Sequence, residues 1–342
     1  MRITKALTVL VVSSVGLTGC AVDRSGRQAD KPTIRVGYLT FPSGDLVVKN
    51  NRWLEGALPG YNVKWTKFDS GADVNTAFIA KDLDFGALGS SPMARGLSAP
   101  LDIPYKVAFV LDVAGTSEAL VTRNGTAINT IGDLKGRRVA TPFASTAHYA
   151  LLAALARNNL LPNDVQLMNL EPQAILAAWE RGDIDAADVW EPVLDQLRSS
   201  GTDLITSGQL AGDGKPSLEL GAVSVEFANA HPEVMDVWRQ QQMRAVRTIQ
   251  DDPHAAAKAI AAEIGIGPAD VERQLKQAVF LTAEQIASGQ WMGTDGNPGN
   301  IAAYLQSNSQ FLADQGQLPS AAPLQTFRDA VYTRGLPNVF TQ

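Results

Sequence analysis

The hydrophobic positions of this chain switch repeatedly between a period of two and a period near 3.6, and that switching predicts an α/β protein. Thr33 to Leu39 and Tyr61 to Phe68 are β-rich runs, Val74 to Lys81 has helical spacing, and Asp84 to Leu88 returns as a short strand. A second series keeps the same rhythm: Arg137 to Thr141 as strand, Ala147 to Asn158 as helix, Val165 to Leu170 as strand, Pro172 to Arg181 as helix and Ile184 to Asp188 as strand. Strands alternating with helices are the pattern of a parallel sheet, and two such series predict two lobes. Beyond about Phe227 the pattern turns helical, with candidates at Pro232 to Asp251, Pro253 to Ile264, Pro268 to Gln277 and Ile301 to Gln315. No repeat or low-complexity tract interrupts the chain.

The first twenty residues follow a different pattern. Arg2 and Lys5 give a basic start, and Ala6 to Leu17 an apolar run too short to span a bilayer as a stable helix, so the segment reads as an export signal. Leu17-Thr18-Gly19-Cys20 closes it with the only cysteine of the protein and resembles the lipobox cut by the lipoprotein signal peptidase, which makes Cys20 a lipid attachment point followed by a polar spacer, Asp23 to Lys31. With no second cysteine, an intramolecular disulfide is excluded. No later apolar run has membrane-spanning length, so the body is expected to be tethered at the membrane surface and to fold in water. The chain has 342 residues, and what remains after the leader is too long for one typical domain; the net charge of -6 with a pI near 5.2 argues against a nucleic-acid partner.

In open α/β sheets ligands bind beyond the carboxyl ends of the strands, so the strand-end loops carry the candidate chemistry. In Leu88-Gly89-Ser90-Ser91-Pro92 a strand runs into a helix, with Ser91 the expected N-cap and Pro92 the first helical residue. Phe143-Ala144-Ser145-Thr146-Ala147-His148 repeats the arrangement, so two helix starts from opposite lobes are expected to converge on an oxyanion; each serine pair is also explained as an ordinary N-cap. Glu118, ending the turn Gly115-Thr116-Ser117-Glu118, and Glu219 in Ser217-Leu218-Glu219-Leu220 lie near the two crossings between lobes and suit a cation. Tyr149, Trp179 and Trp190 are candidate aromatic walls, with Trp179 favoured as core and Trp190 open between core and wall.

These residues, in order along the chain, resemble the periplasmic substrate-binding proteins of the nitrate, sulfonate and taurine ABC importers. The resemblance rests on Lys67-Phe68-Asp69-Ser70-Gly71-Ala72, Leu88 to Pro92, Ser117-Glu118-Ala119-Leu120-Val121, Pro142-Phe143, Ser145-Thr146 with His148-Tyr149, Ala177-Ala178-Trp179, Arg181 to Asp185, and Val189-Trp190 with Pro192. It implies a two-lobed clamshell of the second periplasmic-binding-protein type, each lobe a mainly parallel sheet flanked by helices, joined by two hinge strands. The expected division is a signal peptide at 1–19, a lipidated tether at 20–32, the first part of lobe 1 at 33–118, lobe 2 at 119–221, and the return of lobe 1 with C-terminal helices at 222–342. It further implies a monomeric, exported binding protein that captures taurine or a related aminosulfonate and delivers it to a permease and its ATPase, with no cofactor and no metal. The sulfonate is then expected near Ser90, Ser91 and Thr146 and the ammonium near Glu118 and Glu219, with Thr40, Asp45, His148 and Trp190 completing the site.

Several positions depart from the family pattern. Thr40 to Asp45 forms a different first loop, Glu219 stands where taurine-binding members carry an aspartate, Glu191 replaces a small residue, and Asp188 replaces an aromatic. If Asp45, Asp188, Glu191 and Glu219 faced the cleft, a small amine or guanidinium ligand without a sulfonate would be favoured; the competing expectation makes Asp188 and Glu191 solvated rim residues. Catalysis is not expected: one enzyme of this fold sacrifices a histidine and carries a cysteine-rich signature, whereas here His148, His231 and His254 have no metal-site spacing and the mature chain has no cysteine beyond Cys20.

Overall fold

Two sheets of mixed strand direction organise the chain. The computed structural model describes residues 31–340, and the chain from Pro32 onward is one compact unit. The export signal and Cys20 lie outside the described residues. The first sheet contains β1 (Thr33–Leu39), β2 (Asn62–Phe68), β3 (Phe85–Gly89), β4 (Tyr105–Ala114), β10 (Leu218–Ser224) and β11 (Ala278–Val279), in the order β11-β4-β10-β3-β1-β2. The second contains β5 (Glu118–Arg123), β6 (Arg138–Thr141), β7 (Gln166–Asn169), β8 (Ala186–Trp190) and β9 (Gly201–Thr206), in the order β7-β6-β8-β5-β9.

β1 pairs in parallel with β2 and β3, and β6 in parallel with β7 and β8, as the alternating strand–helix rhythm requires. β10 runs antiparallel between β3 and β4, and β5 antiparallel between β8 and β9. This reversal has a consequence for the site. The amino-terminal ends of β10 and β5 lie at the same sheet edges as the carboxyl ends of the parallel strands beside them, so Glu219 and Glu118 join the edges where ligands bind in such folds.

The helices Pro172–Arg181, Pro232–Asp251 and Pro253–Ile264 have the expected bounds, each opened by a proline whose missing N–H has no helical partner anyway. Two starts differ from expectation. The helix after β3 is Ser90–Gly96 with Gly89 at its N-cap, so Ser91 is not the cap; the other is Thr146–Arg157, capped by the Ser145 hydroxyl accepting from the His148 N–H. In the first core Phe85 stacks on Trp238 at 4.8 Å, and Trp238 closes over Gly221 of β10, where a Cβ would stand 2.4 Å from the indole. Trp179 is core, as favoured, with its indole N–H donating to the Ser200 hydroxyl at 2.9 Å. Tyr149 is also packed away, edge-on to Phe311 and against Leu312 and Leu318, and is no ligand wall.

Candidate functional site

A cavity lies where the strand ends of the two sheets face each other, with about 650 Å³ of empty space counting its mouth. From the first sheet it receives Leu39, Gly89, Asp112 and Glu219, and from the second Glu118 and Trp190, with Ser145 and Thr146 from the helix start after β6. Gly89 is required at this closest approach: a Cβ there would stand 2.4 Å from the Thr146 methyl carbon and 3.1 Å from Glu219 Oε1.

The cavity is acidic. Asp112, Glu118, Glu191 and Glu219 line it, and no Lys, Arg or His does so among the described residues. The Thr146 and Ser207 hydroxyls donate one to each oxygen of Glu118. Burial raises the Glu118 carboxyl, and these hydroxyls, with Ser217, pull it back. Glu219 and Asp112 are directly opposite on neighbouring antiparallel strands, which places their side chains on one face with Cβ atoms about 4.5–5.5 Å apart. Burial pushes Asp112 up to about 8, with Glu118 adding to the shift. Glu219 is driven well above the carboxylate range by burial first and then by Asp112, Glu118 and Asp45, and its Oε2 is buried with no hydrogen-bond partner.

Of the nine expected ligand contacts, the structure brings Glu118, Thr146, Trp190 and Glu219 together on the cavity wall. The other five stand elsewhere. Ser90 is buried, its hydroxyl accepting from the Leu218 N–H at 3.2 Å, and Ser91 is buried beside it without reaching the wall. His148 stacks on Phe143 at 4.6 Å, and its Nδ1 accepts from the Ala144 N–H, so it ties down the loop before its helix; burial lowers its pKa to about 4 and keeps the ring neutral. Asp45 is enclosed behind the wall with Gln242 donating to it, and burial pushes it to about 7. Thr40 lines an adjoining hollow with Lys67, Asp69 and Glu171.

Asp188 and Glu191 are both about 1% exposed, which corrects the solvated-rim reading. Asp188 is enclosed in β8 behind the wall and stands far above its usual range through burial, then through Glu118 and Asp203. Glu191 does reach the cavity, but Arg198 Nη1 at 3.0 Å and the Asp195 N–H at 2.9 Å already occupy its two oxygens. Burial raises it to about 7 against the pull of Arg198. Asp112, Gln274 and Ser217 are wall residues that motif reading missed. Asp112 stands in a continuous apolar run, Val107 to Val113, where a lone carboxylate is itself the signal that was available.

Comparison with known proteins places the chain. Residues 27–265 match the NMT1-like family. The chain belongs to the NMT1-like family. It is 36% identical over 302 residues to the taurine-binding periplasmic protein of Escherichia coli strain K12, covering 86% of this chain and 90% of that protein. Among solved structures it resembles the alkanesulfonate-binding protein SsuA of Xanthomonas axonopodis pv. citri bound to MOPS (TM-score 0.72, 24% identity, 87% of this chain and 98% of that one). It also resembles the aliphatic sulphonate binding protein SsuA of E. coli (TM-score 0.71, 19% identity, 91% and 99%). The fold is thus that of the periplasmic binding proteins, and the relatives are binding proteins.

Among the described residues no helix is long and apolar enough to cross a membrane, and no group of three or more His, Cys, Asp or Glu is placed to hold a metal ion.

Proposed function

We propose that this chain is the substrate-binding subunit of an ABC importer, held at the outer face of the cell membrane or in the periplasm through Cys20, and that it captures taurine or a close aminosulfonate without making or breaking bonds. The observation that carries the reading is the inter-sheet cavity, in which Glu118 and Glu219 from opposite sheets stand beside the start of the helix Thr146–Arg157. The carboxylates suit an ammonium, and the first backbone N–H groups of that helix, which have no partner within it, suit a sulfonate. The likeness to the E. coli taurine-binding periplasmic protein over 86% of the chain supports the same ligand class.

Closure is then a population shift. A ligand touching both sheets binds the closed arrangement far better than an open one, and a permease reads the closed form. Nothing in this role needs a nucleophile or a base, and His148 spends its ring nitrogen on its own loop.

Calorimetric titration of the purified protein with taurine, alkanesulfonates, amino acids and simple amines tests the proposal. Saturable taurine binding, weakened when the amine is removed from the sulfonate, is the expected result. Silence toward taurine and all sulfonates overturns it. The acidity of the wall favours one second reading, a small cationic ligand of amine or guanidinium type with no sulfonate, for which heat with amines alone would be the mark.

A further inference from the structure

We propose that Asp112 is a specificity-determining residue and that, with Glu219, it makes the cationic end of the cavity a receptor for a guanidinium rather than a simple ammonium. The inference rests on the reading of this cavity as the ligand site and goes beyond it by naming the group the acidic wall takes.

Asp112 is only 3% exposed, lines the cavity and makes no side-chain hydrogen bond among the described residues. A carboxylate left so is costly unless a cation or a proton meets it. Its cross-strand neighbour is another carboxylate, Glu219, with one oxygen likewise unpartnered. Like charges directly opposite on a sheet destabilise it, so this pair is a poor structural choice and a good receptor.

The neighbouring carboxylates are already engaged. Glu118 is held by two hydroxyls, and Glu191 by Arg198 and a backbone N–H. The free acceptor capacity is therefore concentrated on two side-by-side carboxyl groups. An ammonium is a compact point charge with three donors, whereas a guanidinium is a plane with donors along several edges that matches carboxylates bidentately. Trp190 lines the same wall, and planar guanidinium groups stack on aromatic side chains.

The test compares matched pairs by calorimetry on the purified full chain: 2-guanidinoethanesulfonate against taurine, and methylguanidine against methylamine. At least a tenfold preference for the guanidinium member is expected in the pair that binds, and Asp112→Asn is expected to reduce that preference to less than threefold. The Asn variant removes the ionisable carboxyl with almost no change of volume, and its thermal midpoint checks that it folds. If taurine binds as tightly as its guanidino analogue, or if the Asn variant keeps the full preference, the inference fails while the aminosulfonate reading stands. A guanidinium preference confined to the pair without a sulfonate upholds the role of Asp112 and replaces the sulfonate reading. Silence toward all four probes overturns both.

Discussion

At the scale of single residues, the site is a set of buried carboxylates whose state depends on what each can accept. Thr146 gives its hydroxyl proton to Glu118, so Thr146→Ala removes a charge-assisted bond and leaves one oxygen of a buried carboxylate unsatisfied. We expect taurine affinity to fall by about 1–3 kcal/mol with unchanged circular dichroism; unaltered titration curves would remove Thr146 from the site. Proton linkage gives a second expectation. Asp45 and Glu191, pushed to about 7, and Asp112, pushed to about 8, keep protons in the fold that the unfolded chain has lost well below pH 6. The folded state then binds more protons than the unfolded one, so stability falls as pH rises through this range. His148, lowered to about 4, has the opposite sign, but its contribution is complete above the ordinary histidine range, so the window from pH 7 to 8.5 isolates the carboxylates. The melting midpoint of the ligand-free protein should drop across that window, and Asp45→Asn should flatten part of the slope; a flat or rising midpoint contradicts the assignment. Little of this was legible from sequence. Glu118, Thr146, Trp190 and Glu219 sat in recognisable loops, but whether Asp45, Asp188 and Glu191 met water depended on what packs over them.

At the scale of elements, the starts of helices with a proline at their first position were readable to the residue, although the one at Pro268 ends at Leu275 rather than Gln277, and strands without flanking contrast were not. Tyr105–Ala114 is buried along nearly its whole length, so it shows no two-residue alternation, and β5, β9 and β10 were likewise not read as strands. The Ser91 expectation failed because Gly89 already leaves the strand and the helix begins one residue before the serine. The start of the helix Thr146–Arg157 shows how a loop is held for function. Ser145 caps the helix while its hydroxyl donates to the Pro142 carbonyl at 2.6 Å, and His148 receives the Ala144 N–H. Ala144 is left in the left-handed region at φ +59, where a Cβ is unfavourable. Ala144→Gly should therefore stabilise the protein by up to about 1 kcal/mol in urea unfolding, the relief of strain exceeding the entropy glycine adds to the unfolded chain. A loss of stability would show that the loop is not strained there.

At the scale of the whole molecule, the two sheets meet through a contact in which one hydrogen atom matters. Gly89 ends β3 in the first sheet, Thr146 opens a helix on the second, and no Cβ fits between them at 2.4 Å from the Thr146 methyl carbon. At that distance neither backbone can yield by a rotamer change, because the position of the methyl is fixed by a β-branched side chain at a helix start. The sheets must part instead. Gly89→Ala should thus fold normally, since Gly89 has an extended backbone at φ -69 that alanine adopts without strain, and yet close poorly around a ligand. We expect at least a tenfold loss of affinity, and a radius of gyration in small-angle scattering that no longer shrinks when ligand is added. Adding Thr146→Ser to the glycine variant deletes the obstructing methyl and keeps the hydroxyl for Glu118, so the double variant should regain both affinity and compaction. The remaining neighbour, Glu219 Oε1 at 3.1 Å, is the tip of a flexible side chain and can withdraw. If Gly89→Ala binds and compacts like the unaltered protein, the contact between the sheets is not what closure requires, and the sheet ends would have to be held together by the ligand alone.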